Sequence, residues 1–189
     1  MAEVQLTAFE HILLGLICVA PSSGYDLKRV FAASPMGIYQ PSSGALYPAL
    51  RRLEHKGLVL ARAASGRAGQ HARARFVYEP TELGRAAHLG WLRVPVGPDT
   101  VARDLGLHLM RFVMMEHLLP RDQVLGFLRD LADALAAFTA DLARHATSVD
   151  PGSGHARLAL DHGLAVHRAS LRWTERTIAA LSTSPQLSA

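Results

Sequence analysis

Residues Gln40–Val59 read QPSSGALYPALRRLEHKGLV, a short helical pattern with a proline inside it. Ser42 or Ser43 supplies an oxygen to cap its start. Gly57 offers a left-handed stop without a Cβ penalty. Pro48 stands between these signals, where a proline removes one hydrogen bond and costs about 3 kcal/mol. Set out at about 100° per residue, Leu46, Ala49, Leu50 and Leu53 share one core face. Gly44, Pro48, Arg51 and His55 fall opposite, with Tyr47 and Arg52 on the flanks. That outer face begins with small residues and a proline and continues with arginines. A helix entering a DNA major groove needs such a start, because its N–H groups favour anions and its backbone must approach phosphates. Tyr47 suits a phosphate or a sugar, and Arg51 a phosphate or a guanine edge. The other reading of Pro48 is a kinked scaffold helix with Tyr47 half-buried.

The flanking sequence supplies the rest of a small domain. Thr7 and Glu10 form a capping box ahead of the apolar run Ile12 to Val19, a first helix that Pro21 stops. Ser23 caps a second helix from Gly24 to about Ala33. The quoted stretch is the third. Leu58 to Ala63 reads as a strand, Ala64 to Ala72 as a hairpin tip, and Arg73 to Tyr78 as a second strand. Thr81 caps a fourth helix running to Arg93. Three helices followed by a two-stranded hairpin is the order of a winged helix-turn-helix.

The prolines from Pro95 to Pro98 mark a hinge, which divides the chain into residues 1–94 and 95–189. Helical patterns follow over Asp99 to Leu118, Asp122 to Ala146 and His155 to Leu181. Val124, Leu128, Leu131, Leu135, Phe138 and Leu142 are spaced 4-3-4-3-4. Leu160, Leu164, His167, Leu171, Thr174, Ile178 and Leu181 keep the same rhythm. Such spacing holds a narrow apolar seam towards a partner helix. Packing within one chain would satisfy it. Three long helices with no sheet to cover, however, have few other surfaces on which to bury their apolar faces, so association between chains is the expectation. That makes this part a helical dimerisation domain. The fold class is then mainly α with a small β-hairpin.

Charge separates the two halves. Residues 1–90 hold 10 Lys and Arg against 6 Asp and Glu, whereas residues 91–189 hold 10 of each. Seven basic residues lie between Arg51 and Arg75, with Glu54 as the one acid. A local excess of this kind fits a polyanionic partner or a solvated basic face. Of 189 residues, 49% are hydrophobic and 19% charged, a globular composition. The run Ile12 to Ala20 is too short to span a bilayer. No signal peptide is evident. Cys18 is the single cysteine, which excludes an internal disulfide and fits a reducing cytoplasm. It lies in an apolar run and reads as inert core.

Three segments carry a family resemblance: ILLGLICVAPSSGYDLKRVF (Ile12 to Phe31), PSSGALYPALRRLEHKGLV (Pro41 to Val59) and RFVYEPTELGR (Arg75 to Arg85). They resemble the PadR-type transcriptional regulators, named for control of a phenolic-acid decarboxylase. The resemblance covers about residues 6–93 and is carried most specifically by Gly24-Tyr25 and by Leu46 to Leu50. It implies a homodimer whose C-terminal helices clasp the partner and pack on its first helix. Together with the third-helix reading it gives a DNA-contacting set of Tyr25, Lys28, Ser42, Ser43, Gly44, Tyr47, Pro48, Arg51, Arg52, Arg67, His71 and Arg73. It also gives an interface set of Val124, Leu128, Leu131, Leu135, Phe138, Leu142, Leu160, Leu164, His167, Leu171 and Ile178. The wing, Gln70 to Tyr78, departs from the family's Gly, Pro and basic residues before an aromatic pair.

Ten histidines raise the question of a metal. Their spacing matches no zinc pattern, and no cofactor is expected. Asp161-His162 has no nucleophile near it in sequence, and no phosphate loop or G-x-S-x-G occurs, so an enzyme is not the reading. Trp91 and Trp173 suit either of two roles: interface anchors, or, with Met110, Met114 and Met115, walls of a pocket for a flat effector. The expected function is a cytoplasmic dimeric repressor that binds a palindromic operator in double-stranded DNA. The competing reading is a winged-helix module that has lost DNA binding and works through protein contacts.

Overall fold

The computed structural model describes residues 5–33, 43–63, 76–148 and 154–183. It divides into two compact units, residues 1–92 and 93–189. Among the described residues no helix is long and apolar enough to cross a membrane.

The first unit opens with α1 (Ala8–Val19), held by the capping box: the Glu10 N–H donates to Thr7 Oγ1 at 3.2 Å, and the Thr7 N–H donates to Glu10 Oε2 at 3.0 Å. Ile12, Leu13, Leu14 and Ile17 of α1 have no exposed surface and form the centre of the core. After Pro21 comes a strand that the sequence reading lacks, β1 (Ser22–Ser23). It is two residues long and pairs antiparallel with residues 77 and 78, so its partner lies far along the chain. Ser23 then caps α2 (Gly24–Ala33): the Asp26 N–H donates to Ser23 Oγ, and the Ser23 N–H donates back to the Asp26 carboxylate, both at 3.2 Å.

Helix α3 (Ser43–His55) runs unbroken through Pro48. It ends at Gly57, whose φ of 70° is the left-handed stop. There the Gly57 N–H donates to Glu54 O and the Leu58 N–H to Leu53 O, closing the end of the helix. β2 (Val59–Ala63) and β3 (Phe76–Pro80) pair antiparallel in register Ala61 with Tyr78, giving a sheet of order β1-β3-β2. The hairpin tip and residues 73–75 lie outside the described residues. Thr81 caps α4 (Glu82–Leu92) through the Gly84 N–H at 3.0 Å. Helix α1 packs on both α3 and α4. This is a winged helix-turn-helix arrangement of helices and strands.

The second unit is three helices: α5 (Pro98–Met115), α6 (Arg121–Ser148) and α7 (Gly154–Thr183). The pattern predicts one continuous helix from Asp99, but α5 breaks at Asp104, where φ is −153° and ψ is 69°. The Asp104 carboxylate accepts from the Leu107 N–H at 2.9 Å and so caps the second half. Helix α6 packs between α5 and α7. The apolar seam is closed to a large extent within one chain. Leu128, Leu131 and Leu135 have no exposed surface, and Leu164 is buried. Phe138 and His167 meet across α6 and α7 with ring centres 4.7 Å apart. Val124, Leu142, Leu160, Leu171 and Ile178 stay half-buried.

Candidate nucleic-acid interface

The outer face of α3 is built by its inner face. Leu46, Ala49, Leu50 and Leu53 are at most 1% exposed. Burying four such side chains fixes the helix about its long axis, each contributing about 1–3 kcal/mol according to size. The rotation leaves Gly44, Tyr47, Arg51 and His55 exposed and Pro48 half-buried. Pro48 has no N–H for the Gly44 carbonyl, and that carbonyl lies at the exposed start of the helix.

Tyr47 is held from one side. Its ring lies over Gly24, where a Cβ would stand 2.7 Å from Cε1. Gly24 therefore serves by having no side chain, and Tyr47 stays 46% exposed. Tyr25, next to it on α2, is 60% exposed, and Lys28 is exposed as well. Behind α3 lies the nearly buried Tyr78 of β3. Burial, together with the nearby charge of Glu54, pushes its phenol above the ordinary range.

The basic residues of this region divide by partner. Arg52 Nε donates to Glu10 Oε1 at 2.5 Å, and Lys56 Nζ lies 3.5 Å from Glu10 Oε2. Burial pushes the Glu10 carboxyl up, but the Arg52 hydrogen bond, the Thr7 N–H and the charges of Lys56 and Arg52 outweigh it and hold Glu10 below the usual carboxylate range. Arg62 pairs with Glu79 at 2.7 Å. Arg51 has no ion pair among the described residues. Ser42, Arg67, His71 and Arg73 lie outside the described residues, as does the side chain of Ser43.

Sequence reasoning takes Glu10 as a local cap and misses its reach to α3. The signal in the sequence is a carboxylate at the third helical position, which a capping box alone explains. It also misses the role of Gly24 as the floor beneath Tyr47.

The aromatic and sulfur side chains read as pocket residues are shared between the units. In the first, Trp91 stacks on His11 with ring centres 4.6 Å apart and planes within 5°. In the second, Met110 and Met114 are buried, and Trp173 meets Phe112 edge-on at 5.7 Å. An open apolar groove in the second unit is lined by Phe112, Met115, Leu118, Leu119, Val124 and Leu181, with Glu116, His117 and Arg121. Burial pushes the Cys18 thiol up to about 11, so it is not a reactive thiolate at neutral pH. Among the described residues no cluster of His, Cys, Asp or Glu is arranged to hold a metal.

Residues 13–88 match the Transcriptional regulator PadR-like family. The probable transcriptional regulator Rv1176c of Mycobacterium tuberculosis is 31% identical over 101 residues, covering 53% of this chain and 51% of that protein. The match therefore spans about half the length of the curated relative. A crystal structure of Bacillus subtilis PadR in complex with operator DNA is 21% identical, covers 93% of this chain and 99% of its own, and gives a TM-score of 0.44. The PadR-like regulator BC1756 from Bacillus cereus is 22% identical, covers 96% and 99%, and gives 0.42.

Proposed function

We propose that this chain, whose residues 13–88 match the PadR-like family of transcriptional regulators, is a dimeric repressor that reads a palindromic operator with α3. One observation carries the reading. The buried face of α3 turns Tyr47 and Arg51 outward at a helix start lined by Gly44 and Pro48. Tyr25 and Lys28 of α2 are exposed as well and join the proposed contacts, with Ser42 and Ser43 just ahead of Gly44 in sequence. Arg67, His71 and Arg73 of the wing add phosphate contacts.

The second unit joins two copies. Its groove lined by Phe112, Leu118 and Leu181 supports this reading, as do the exposed Leu158 and Val113, at 66% and 51%. Apolar surface of this kind is expected to be covered by another chain. The half-buried Val124, Leu142, Leu160, Leu171 and Ile178 border the same helices, while Leu128, Leu131, Leu135, Phe138, Leu164 and His167 hold them together. A small aromatic or hydrophobic effector received in the second unit near Met110, Met114 and Trp173 then releases the DNA. A coupling of about 1–3 kcal/mol suffices for that release.

The test is selection of duplexes from a randomised pool by the full-length protein, with sedimentation at low micromolar concentration. The expected result is two chains per particle and an imperfect palindrome with half-sites about 10 base pairs apart, or a multiple. A well-folded monomer, or a selected pool with no shared sequence, would overturn the reading.

A further inference from the structure

Three of the four described basic side chains between residues 51 and 63 are held by carboxylates, and they are not held alike. Glu79, which pairs with Arg62, is 38% exposed, so water competes for both partners. The Glu10 side chain is 2% exposed. Its Oε2 also accepts the Thr7 N–H, so the carboxylate is fixed at the start of α1. Pulling a cation away from it would leave a charge buried without compensation. Lys56 is tied a second time, donating to Gln5 O at 2.8 Å. Arg51, adjacent to Arg52 in sequence, makes no ion pair among the described residues.

Resting on the reading of α3 as the DNA-reading helix, we propose that Glu10 is a specificity-determining residue: it withholds Arg52 and Lys56 from DNA phosphates and leaves Tyr47 and Arg51 to read the operator. The physical reason lies in how duplex affinity divides. Each phosphate contact by a Lys or Arg releases counterions and strengthens binding to every sequence equally. Discrimination is the ratio of operator binding to that common background. A buried anion behind the helix lowers the background without touching a base-edge contact. The same anion ties α3 to the first turn of α1, so the charge that restrains the cations also fixes the helix that carries them.

The test uses the full-length protein and a random-sequence duplex, with binding measured across a salt series. Glu10→Gln keeps the size of the side chain and one acceptor oxygen, for either Thr7 or Arg52, but removes the charge. It is expected to bind the random duplex about fivefold tighter for each freed cation near 0.15 M salt, with the log–log salt slope steeper by about 0.9 per cation. Adding Arg52→Gln and Lys56→Gln to that variant should return affinity and slope to the parent's values. Arg52→Gln with Lys56→Gln on the parent background should change random-duplex affinity by less than about twofold and leave the slope alone. This last pair decides the matter if Glu10→Gln fails to fold, since it needs no folded Glu10 variant. A salt slope unmoved in folded Glu10→Gln would overturn the proposal, and so would a slope lost in the parent-background pair. Operator binding by Tyr47 and Arg51 would then still stand. A parent that binds no duplex overturns the DNA reading itself, and the proposal with it.

Discussion

The ring of Tyr47 rests on the Cα of Gly24, so close that a Cβ there would stand 2.7 Å from Cε1 and 3.3 Å from the hydroxyl. The exposed aromatic of α3 is thus placed by a missing side chain on α2. Gly24→Ala is expected to leave the fold in place, since the clash is with the far end of one ring and alanine suits a helix. The ring must swing, and operator affinity should fall by about tenfold, roughly one good polar contact. Gel-shift titration checks this, with circular dichroism as the control for folding. Unchanged operator binding would show that the position of Tyr47 does not matter.

Tyr47→Ala and Arg51→Ala should each weaken operator binding more than random-duplex binding, with the assembly state unchanged by sedimentation. A bidentate pair of hydrogen bonds from Arg51 to a base is worth about 1–3 kcal/mol of discrimination. Arg67→Ala or Arg73→Ala should instead weaken both duplexes about equally, each lowering the salt slope by about 0.9. Equal losses from both groups of variants would remove the distinction between reading and anchoring.

Gly84 lies where α4 crosses the start of β2. A Cβ there would stand 2.0 Å from the Leu58 carbonyl oxygen, a backbone atom that cannot swing aside. That oxygen already accepts the Thr81 N–H at 3.0 Å. Gly84→Ala is therefore expected to destabilise the first unit by about 3 kcal/mol, at the upper end for overpacking. Urea titration should show a markedly lower midpoint. An unchanged midpoint would mean that α4 can lift off the sheet freely.

His88 is 1% exposed, and neither ring nitrogen has a hydrogen-bond partner among the described groups. Burial lowers its pKa from 6.5 to about 4. Between those values the unfolded chain binds a proton that the folded chain refuses, so stability falls as pH falls through that window. The loss reaches at most about 3 kcal/mol, because each tenfold drop in proton affinity is worth about 1.4 kcal/mol. Burial lowers His108 as well, so it adds a loss of the same sign. His88→Leu should flatten, without abolishing, the decline in urea midpoint between about pH 7 and pH 5. Parallel declines in parent and variant would count against this account.

How much of this was legible depended on how far each cause reaches along the chain. The ends of α1 and α3 are local: Thr7 with Glu10, and Gly57 after Lys56, act within one turn. The buried set Leu46, Ala49, Leu50 and Leu53 follows from helical spacing alone. The strand β1 was not legible, because two serines carry no strand pattern and their partner lies beyond two helices. The break at Asp104 was hidden for a different reason: apolar spacing continues past it, and a single carboxylate restarts the helix. The 4-3-4 seam predicted that α6 needs a neighbour. It could not say whose, and within this chain α7 fills much of that need. Glu10 satisfied a local rule so completely that nothing in the sequence pointed to Arg52.

The buried guanidinium of Arg111 decides where the chain can be cut. Arg111 is 3% exposed, its Nη2 donates to the Val94 carbonyl, and its Cζ lies 4.9 Å from the centre of the Phe127 ring. Val96, two residues on, is buried too. The stretch that looks like a linker therefore takes part in the packing of the second unit, through the Val94 carbonyl and the Val96 side chain. A fragment starting at Pro95 would lose an acceptor that a charged group, already short of water, relies on. A fragment starting at Arg93 keeps it, and also keeps the hydrogen bond from Arg93 Nε to Gln123 at 3.1 Å. Two expression clones differing by two residues at one end should thus differ in whether the helical half can be purified by itself.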